Sequence, residues 1–173
     1  VCASNGGAVA AALAAIAEGV AGSLSSGLHH AARGRGAGFC TFNGLALGVR
    51  AARAAGEPVL MGAPNVVRGG SHSGNVAAAD LARAGLLDIL SSDYVPGSLL
   101  SAVMRLVDEG ILSMPQAVAT VTRNPAKAAG MADRGALAPG LRADLVQVHM
   151  ADLPDGTRQA VVRGVWREGQ RVL

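Results

Sequence analysis

The fold is decided by the stretch GEPVLMGAPNVVRGGSHSGNVAAADLARAGLLDILSSDYVPGSLL, residues 56–100. It contains two short apolar runs, Pro58–Met61 and Leu87–Leu90, each typical of a buried strand. A helix is predicted between them at Ala77–Ala84, and a strand–helix–strand connection favours parallel pairing of the two strands. Polar loops, GAPNVVRGGSHSGN and SSDYVPGS, follow the two runs. The centre of the chain therefore predicts an α/β layer with functional side chains after its strands.

The N-terminal third continues the same alternation. Gly6–Gly19 predicts an alanine-rich helix that ends at a glycine, and Val20–Ser25 predicts a short parallel strand. A glycine-rich loop follows, and a second helix is predicted at Gly44–Ala55, again ended by a glycine.

The C-terminal part changes character. Two or three helices are predicted within Ser98–Gly130, with Pro115 and Pro125 in first turns. Ala143–Met150 and Ala160–Leu173 predict strands, the second folding back near Glu168-Gly169. The tail is thus expected to be a small β element.

Composition excludes several classes of protein. Half of the 173 residues are hydrophobic and 16% are charged, which excludes a disordered chain. Four aromatic residues and a net charge of +3 argue against a nucleic-acid partner. The apolar run Ala8–Ala17 is too short to span a membrane, so we expect no membrane partner. Two cysteines, Cys2 and Cys40, do not form a disulfide framework, which favours a cytoplasmic location.

The first chemical motif is a pair of adjacent histidines, His29 and His30, in the loop SGLHHAARGRGAGFCTFN. Histidine exchanges protons near neutral pH, so the pair is a candidate for general acid–base catalysis, although it also fits two ordinary polar loop residues. Residues 5–49 resemble the metal-dependent deacetylases of the histone deacetylase and acetoin-utilisation type. This resemblance implies acid–base roles for both histidines and places Gly38 and Phe39 along an acyl-lysine tunnel.

The second motif follows the two central strands. Arg68 with Gly69-Gly70 offers guanidinium and backbone N–H donors that suit phosphate oxygens. Asp93 follows the second strand at its C-terminal end, where α/β barrels place catalytic groups. An ordinary polar loop is the alternative. The candidate substrate-binding residues are Asn65, Arg68, Ser71, His72, Ser73 and Asn75.

Residues 49–173 resemble the diphosphatases of phosphonate breakdown in the amidohydrolase superfamily. The string NPAKAAGMADRGALAPGLRADLVQV, residues 124–148, is similar to the closing signature of that superfamily. The resemblance implies that Asp93 binds zinc or another divalent metal and accepts a proton from the attacking water. It also implies a phosphorylated small-molecule substrate, a ribose triphosphate phosphonate, from which pyrophosphate is released.

Together the two resemblances predict a chain that joins fragments of two unrelated hydrolases. The predicted parts are a deacetylase-like α/β fragment over 1–52, the last two strand–helix units of an amidohydrolase-type barrel over 53–135, and a small β element over 136–173. The expected fold class is α/β, with a partial (β/α) barrel-like layer of parallel strands. Exposed strand edges predict self-association.

The predicted sites lack most of their metal ligands, because neither Asp-x-His nor His-x-His occurs in the sequence. We therefore expect the 173-residue chain alone to have no substantial hydrolase activity. Asp93 and His72 are expected to share one concave surface. The alternatives to a diphosphatase are a deacetylase-like hydrolase of acetyl-lysine or acetylated amines, and a non-catalytic domain that binds a phosphate-bearing ligand.

Overall fold

The computed structural model describes residues 2–22, 31, 44–70, 76–154, 156 and 158–173. The chain divides into two compact units, which are described separately. The first comprises Val1–Val59 and Gly70–Ala77, and the second comprises Leu60–Gly69 and Ala78–Leu173. The domain boundaries predicted from the sequence stay predictions.

The first unit contains two alanine-rich helices, α1 (Cys2–Glu18) and α2 (Gly44–Ala54). They pack closely, because a Cβ atom added at Gly44 would lie 2.5 Å from Oδ1 of Asn5. Both predicted helices are confirmed. Within the described ranges, no helix combines the length and apolar character needed to cross a membrane.

The strand predicted at Val20–Ser25 is absent from its described part, residues 20–22. Gly19 ends α1 in the left-handed conformation with φ of 89°, and Val20 is 87% exposed. A strand needs a hydrogen-bonded neighbour, and the exposure of Val20 shows that these residues lie against solvent. Residues 23–25 lie outside the described residues.

The second unit contains the predicted parallel pair. β1 (Leu60–Gly62) and β2 (Ile89–Ser91) run parallel, with Leu60 opposite Ile89 and Gly62 opposite Ser91. Helix α4 (Ala78–Arg83) lies in the connection between them. The parallel α/β arrangement is confirmed, and each strand ends one residue later than predicted.

The stretch after β1 is helical where the sequence analysis predicted a loop. Residues Ala63–Arg68 form α3, directly after the strand. Pro64 lies in the first turn, where its fixed φ suits a helix, and Gly69 ends the helix with φ of 81°. Arg105 donates a hydrogen bond from Nη1 to the carbonyl oxygen of Val67 at 2.6 Å. The loop prediction was wrong for residues 63–68. The contacts that stabilise this helix leave no periodic pattern of hydrophobic residues in the sequence, so the helix could not be recognised from such a pattern.

Three further helices complete the α/β body, namely α5 (Ser98–Asp108), α6 (Met114–Ala119) and α7 (Arg123–Ala128). Pro115 and Pro125 lie in the first turns of α6 and α7, as predicted. The core consists of small and aliphatic side chains from the strands and helices. One buried cluster of this core comprises Ala63, Val66, Ala78, Ala82, Leu90, Ala102 and Leu106.

The predicted β tail is confirmed as an antiparallel sheet of β3 (Leu145–Asp152), β4 (Arg158–Arg167) and β5 (Gln170–Arg171). Glu168 and Gly169 form the predicted turn, with φ of 52° and 79°. Positive φ at both turn residues is the geometry that matches the twist of a two-residue hairpin.

A cluster of charged side chains ties the segment before β3 to this hairpin turn. Arg134 donates to both carboxylate oxygens of Asp133 at 2.8 and 3.0 Å, and this lowers the pKa of Asp133. The backbone N–H of Glu168 donates to Asp144 at 3.0 Å and, together with Arg142, lowers the pKa of Asp144. Arg142 also bridges to Glu168 at 3.0 Å.

This cluster predicts a loss of stability in acid. The pKa of Asp144 lies below 3.8 in the folded state, so the folded protein binds the proton less readily than the unfolded chain. The stabilisation that the Asp144 carboxylate provides is present above the ordinary pKa of aspartate. It is lost as the pH falls through the lowered pKa of the folded state. In urea unfolding, the stability difference between the wild type and Asp144→Asn should shrink between about pH 6 and about pH 2.

The matched control is Asp152→Asn, which changes an exposed carboxylate on β3. Its difference from the wild type should stay small across the same pH range, since isolated surface substitutions change stability by about 0.5 kcal/mol or less. A constant difference for Asp144→Asn at all pH values would contradict the prediction.

Candidate functional site

The site lies at the edge where both central strands end. Gly62 and Ser91 are paired as the last residues of β1 and β2. Because the strands are parallel, α3 and the turn that contains Asp93 begin from the same edge of the sheet. This is the position at which open α/β sheets bind ligands.

Asp93 is held in an unusual backbone conformation. Its φ of 51° is left-handed, which aspartate tolerates better than most residues. The backbone N–H of Val95 closes the turn on the carbonyl oxygen of Ser92 at 3.0 Å. The buried Ser98 then donates from Oγ to the carbonyl oxygen of Val95 at 2.6 Å. The turn therefore keeps the exposed Asp93 side chain beside the strand ends.

The carboxylate of Asp93 lies against Gly62. A Cβ atom added at Gly62 would lie 3.1 Å from Oδ2 of Asp93 and 3.5 Å from its Cβ. Any larger residue at position 62 would therefore press on the carboxylate. The sequence analysis did not select Gly62; the available signal was a glycine that ends a strand immediately before a polar segment.

Arg68 lies at the end of α3, where its guanidinium is 6.0 Å from the centre of the Tyr94 ring. Both side chains are exposed, and this distance permits a cation–π interaction. Tyr94 directly follows Asp93, so the pair places a positive charge beside the same turn. Tyr94 was not predicted from the sequence, because nothing local to the turn indicates which cation its ring contacts.

Asn65 has a structural contact. Its side-chain oxygen accepts a hydrogen bond from the backbone N–H of Ala78 at 2.8 Å, at the start of α4. Capping of this kind satisfies a helix N–H that has no partner within the helix. A substrate-binding role for Asn65 stays a prediction.

The remaining predicted site residues lie outside the described residues. Their roles, the shared surface expected for Asp93 and His72, and the deacetylase resemblance therefore stay predictions. These residues are His29, His30, Gly38, Phe39, Ser71, His72, Ser73 and Asn75.

The metal implied by the amidohydrolase resemblance does not fit the described side chains. Across the described ranges, no three His, Cys, Asp or Glu residues come together in a way that could hold a metal ion. A hydrolytic zinc site normally takes three protein ligands. Asp93 is the single predicted ligand in this part of the chain.

Comparison with known proteins connects this site to a family. The diphosphatase of Escherichia coli that acts on α-D-ribose 1-methylphosphonate 5-triphosphate is 55% identical over 125 residues, covering 71% of this chain and 32% of that protein. An imidazolonepropionase of Deinococcus deserti is 38% identical over 100 residues, covering 51% of this chain and 24% of that protein. An imidazolonepropionase of a Ruegeria species is 48% identical over 61 residues, covering 32% of this chain and 15% of that protein.

This chain therefore spans about a third or less of the curated relatives that it matches. Residues 50–173 match the amidohydrolase family. The matched region contains Gly62, Arg68, Asp93 and Tyr94 and extends through the β tail. The chain belongs to the amidohydrolase family of hydrolases.

Proposed function

We propose that residues 50–173 supply the proton-accepting and phosphate-binding edge of a diphosphatase. Its substrate is α-D-ribose 1-methylphosphonate 5-triphosphate, and its reaction releases pyrophosphate. The observation that carries the proposal is that Asp93 and the Arg68–Tyr94 pair both follow two parallel strands that end at the same edge. The 55% identity to the Escherichia coli diphosphatase supports the choice of substrate.

The two charged side chains have separate roles in this proposal. The Asp93 carboxylate accepts a proton from the water that attacks the phosphate chain. The Arg68 guanidinium donates hydrogen bonds to phosphate oxygens, for which its planar fork is suited. Gly62 leaves the space that the carboxylate occupies. The carboxylate therefore acts on the attacking water, and the cation binds the phosphate chain of the substrate.

A hybrid enzyme tests the proposal. In this hybrid, residues 50–173 replace the corresponding region of the Escherichia coli diphosphatase. We expect the hybrid to release pyrophosphate from the ribose triphosphate, with kcat/KM within about tenfold of the parent enzyme, a change of about 1.4 kcal/mol in transition-state stabilisation. The 173-residue chain alone should release no pyrophosphate above the buffer rate.

The control substrate is imidazolonepropionate, because relatives with that activity also match this chain. The hybrid should not hydrolyse it measurably. A folded hybrid without diphosphatase activity would refute the proposal. The proposal would also be refuted if the same segment supported imidazolonepropionase activity when placed in an imidazolonepropionase but did not support diphosphatase activity when placed in the diphosphatase.

A further inference from the structure

We propose that Tyr94 is a positioning residue that holds the Arg68 guanidinium ready to bind the polyphosphate part of the substrate. This inference rests on the proposed function and adds to it a residue and a ligand class. The ligand is a linear polyphosphate anion, and it is bound by the N–H donors of a guanidinium that lies 6.0 Å from the centre of the Tyr94 ring.

Helix α3 does not use Arg68 to cap its own end. Arg105 already donates to the carbonyl oxygen of Val67 at 2.6 Å, and the N–H of Gly69 donates to the carbonyl oxygen of Val66 at 3.0 Å. Within the part of the chain that the structure describes, the Arg68 guanidinium has the ring of Tyr94 as its contact and no carboxylate partner. Among the described residues, none accepts a hydrogen bond from its five N–H donors.

Another arginine–aromatic pair lies in the same unit. Arg171 lies 5.8 Å from the centre of the Trp166 ring, almost the same distance as in the first pair. However, its Nε donates to the carbonyl oxygen of Leu173 at 2.8 Å, and its Nη2 lies 3.5 Å from the carbonyl oxygen of Arg163. The donors of Arg171 thus support the hairpin, whereas no described residue accepts a hydrogen bond from those of Arg68.

The ring of Tyr94 lies on the surface. Tyr94 is 64% exposed, so packing in the core does not explain its place beside Arg68. A flexible exposed arginine loses side-chain entropy when it binds an anion, and an aromatic surface that already restrains the guanidinium reduces that loss. Because Tyr94 directly follows Asp93, the restrained cation draws the phosphate chain towards the carboxylate that accepts the proton.

The test is titration of the 173-residue chain with inorganic tripolyphosphate by calorimetry and proton NMR. Tyr94 is the chain's single tyrosine, so its ring signals report directly on this position. We expect the ring signals to shift on binding. Arg68→Ala should weaken binding by roughly tenfold or more, since hydrogen bonds between charged groups are stronger than those between neutral groups.

The variants of Tyr94 separate a positioning role from a merely structural one. Tyr94→Leu should weaken binding about two- to fivefold, the effect of losing an exposed cation–π contact, whereas Tyr94→Phe keeps the ring and should bind like the wild type. Arg171→Ala is the matched control and should leave tripolyphosphate affinity unchanged. Each variant should unfold at a temperature close to that of the wild type, which would show that its fold is intact.

The inference is overturned if the wild type does not bind tripolyphosphate. It is also overturned if Arg68→Ala binds as well as the wild type, if Tyr94→Leu and Tyr94→Phe bind equally, or if Arg171→Ala weakens binding as much as Arg68→Ala. Binding that depends on Arg68 and Tyr94, without activity of the hybrid enzyme, would support the inference and refute the proposed function. An active hybrid in which Tyr94→Leu leaves KM unchanged would refute the inference and support the proposed function.

Discussion

Replacing Asp93 by asparagine in the hybrid enzyme should lower kcat for pyrophosphate release by about 10²–10⁴-fold. Asparagine has nearly the same shape as aspartate and tolerates the left-handed φ of 51°, so the turn should keep its structure. The neutral amide, however, does not accept the proton from water. The loss should therefore appear in kcat, which is measured by the release of pyrophosphate from the ribose triphosphate.

The matched control is Asp152→Asn, an exposed carboxylate on β3 within the same unit. It should leave kcat unchanged, because β3 belongs to the β tail rather than to the strand edge that carries Asp93. Thermal unfolding of both variants reports whether the hybrid remains folded. Equal kcat in Asp93→Asn and in the parent hybrid would show that Asp93 is not the proton acceptor.

Leu106→Ala should lower the free energy of unfolding of the chain by about 3–5 kcal/mol. Leu106 is fully buried in α5 and belongs to the same core cluster as Val66 of α3 and Leu90 of β2. Removal of its side chain leaves a cavity among small residues such as Ala63 and Ala102, which have few atoms to fill it. Urea unfolding measures this loss.

Such a loss is large for a domain whose total stability is typically about 5–15 kcal/mol. The matched control is Leu137→Ala, because Leu137 is 85% exposed. That substitution should change the free energy of unfolding by about 0.5 kcal/mol or less. A loss below about 1 kcal/mol for Leu106→Ala would show that the core relaxes around the cavity or that α5 does not pack as described.

Much of the fold was predictable because its signals are local. The apolar runs around Leu60 and Leu90 predict strands, and the connection between them predicts parallel pairing, which the structure confirms. Glycines predict the ends of α1 and the hairpin turn before β5, since positive φ is a property of a single residue. Asp93 was selected for the same reason, because it follows a strand along the chain.

The helix α3 shows where local signals are insufficient. Its sequence APNVVR contains a proline and an asparagine and is only six residues long, too short for a periodic apolar face to be recognised. The helix is stabilised by Arg105, whose guanidinium contacts the Val67 carbonyl from 38 positions away. Short helices gain most of their stability from tertiary packing, which the local sequence does not report.

The sequence by itself determined the α/β alternation, the β tail, and the presence of an aspartate and an arginine after two strands. The tertiary structure alone decided the contacts of those side chains. Parallel pairing of β1 and β2 places Gly62, which has no side chain, against the Asp93 carboxylate. It also brings the guanidinium of Arg68 to the ring of Tyr94. Backbone preferences depend on neighbouring residues and are therefore present in the sequence pattern, whereas contacts between distant segments exist only after the strands have paired.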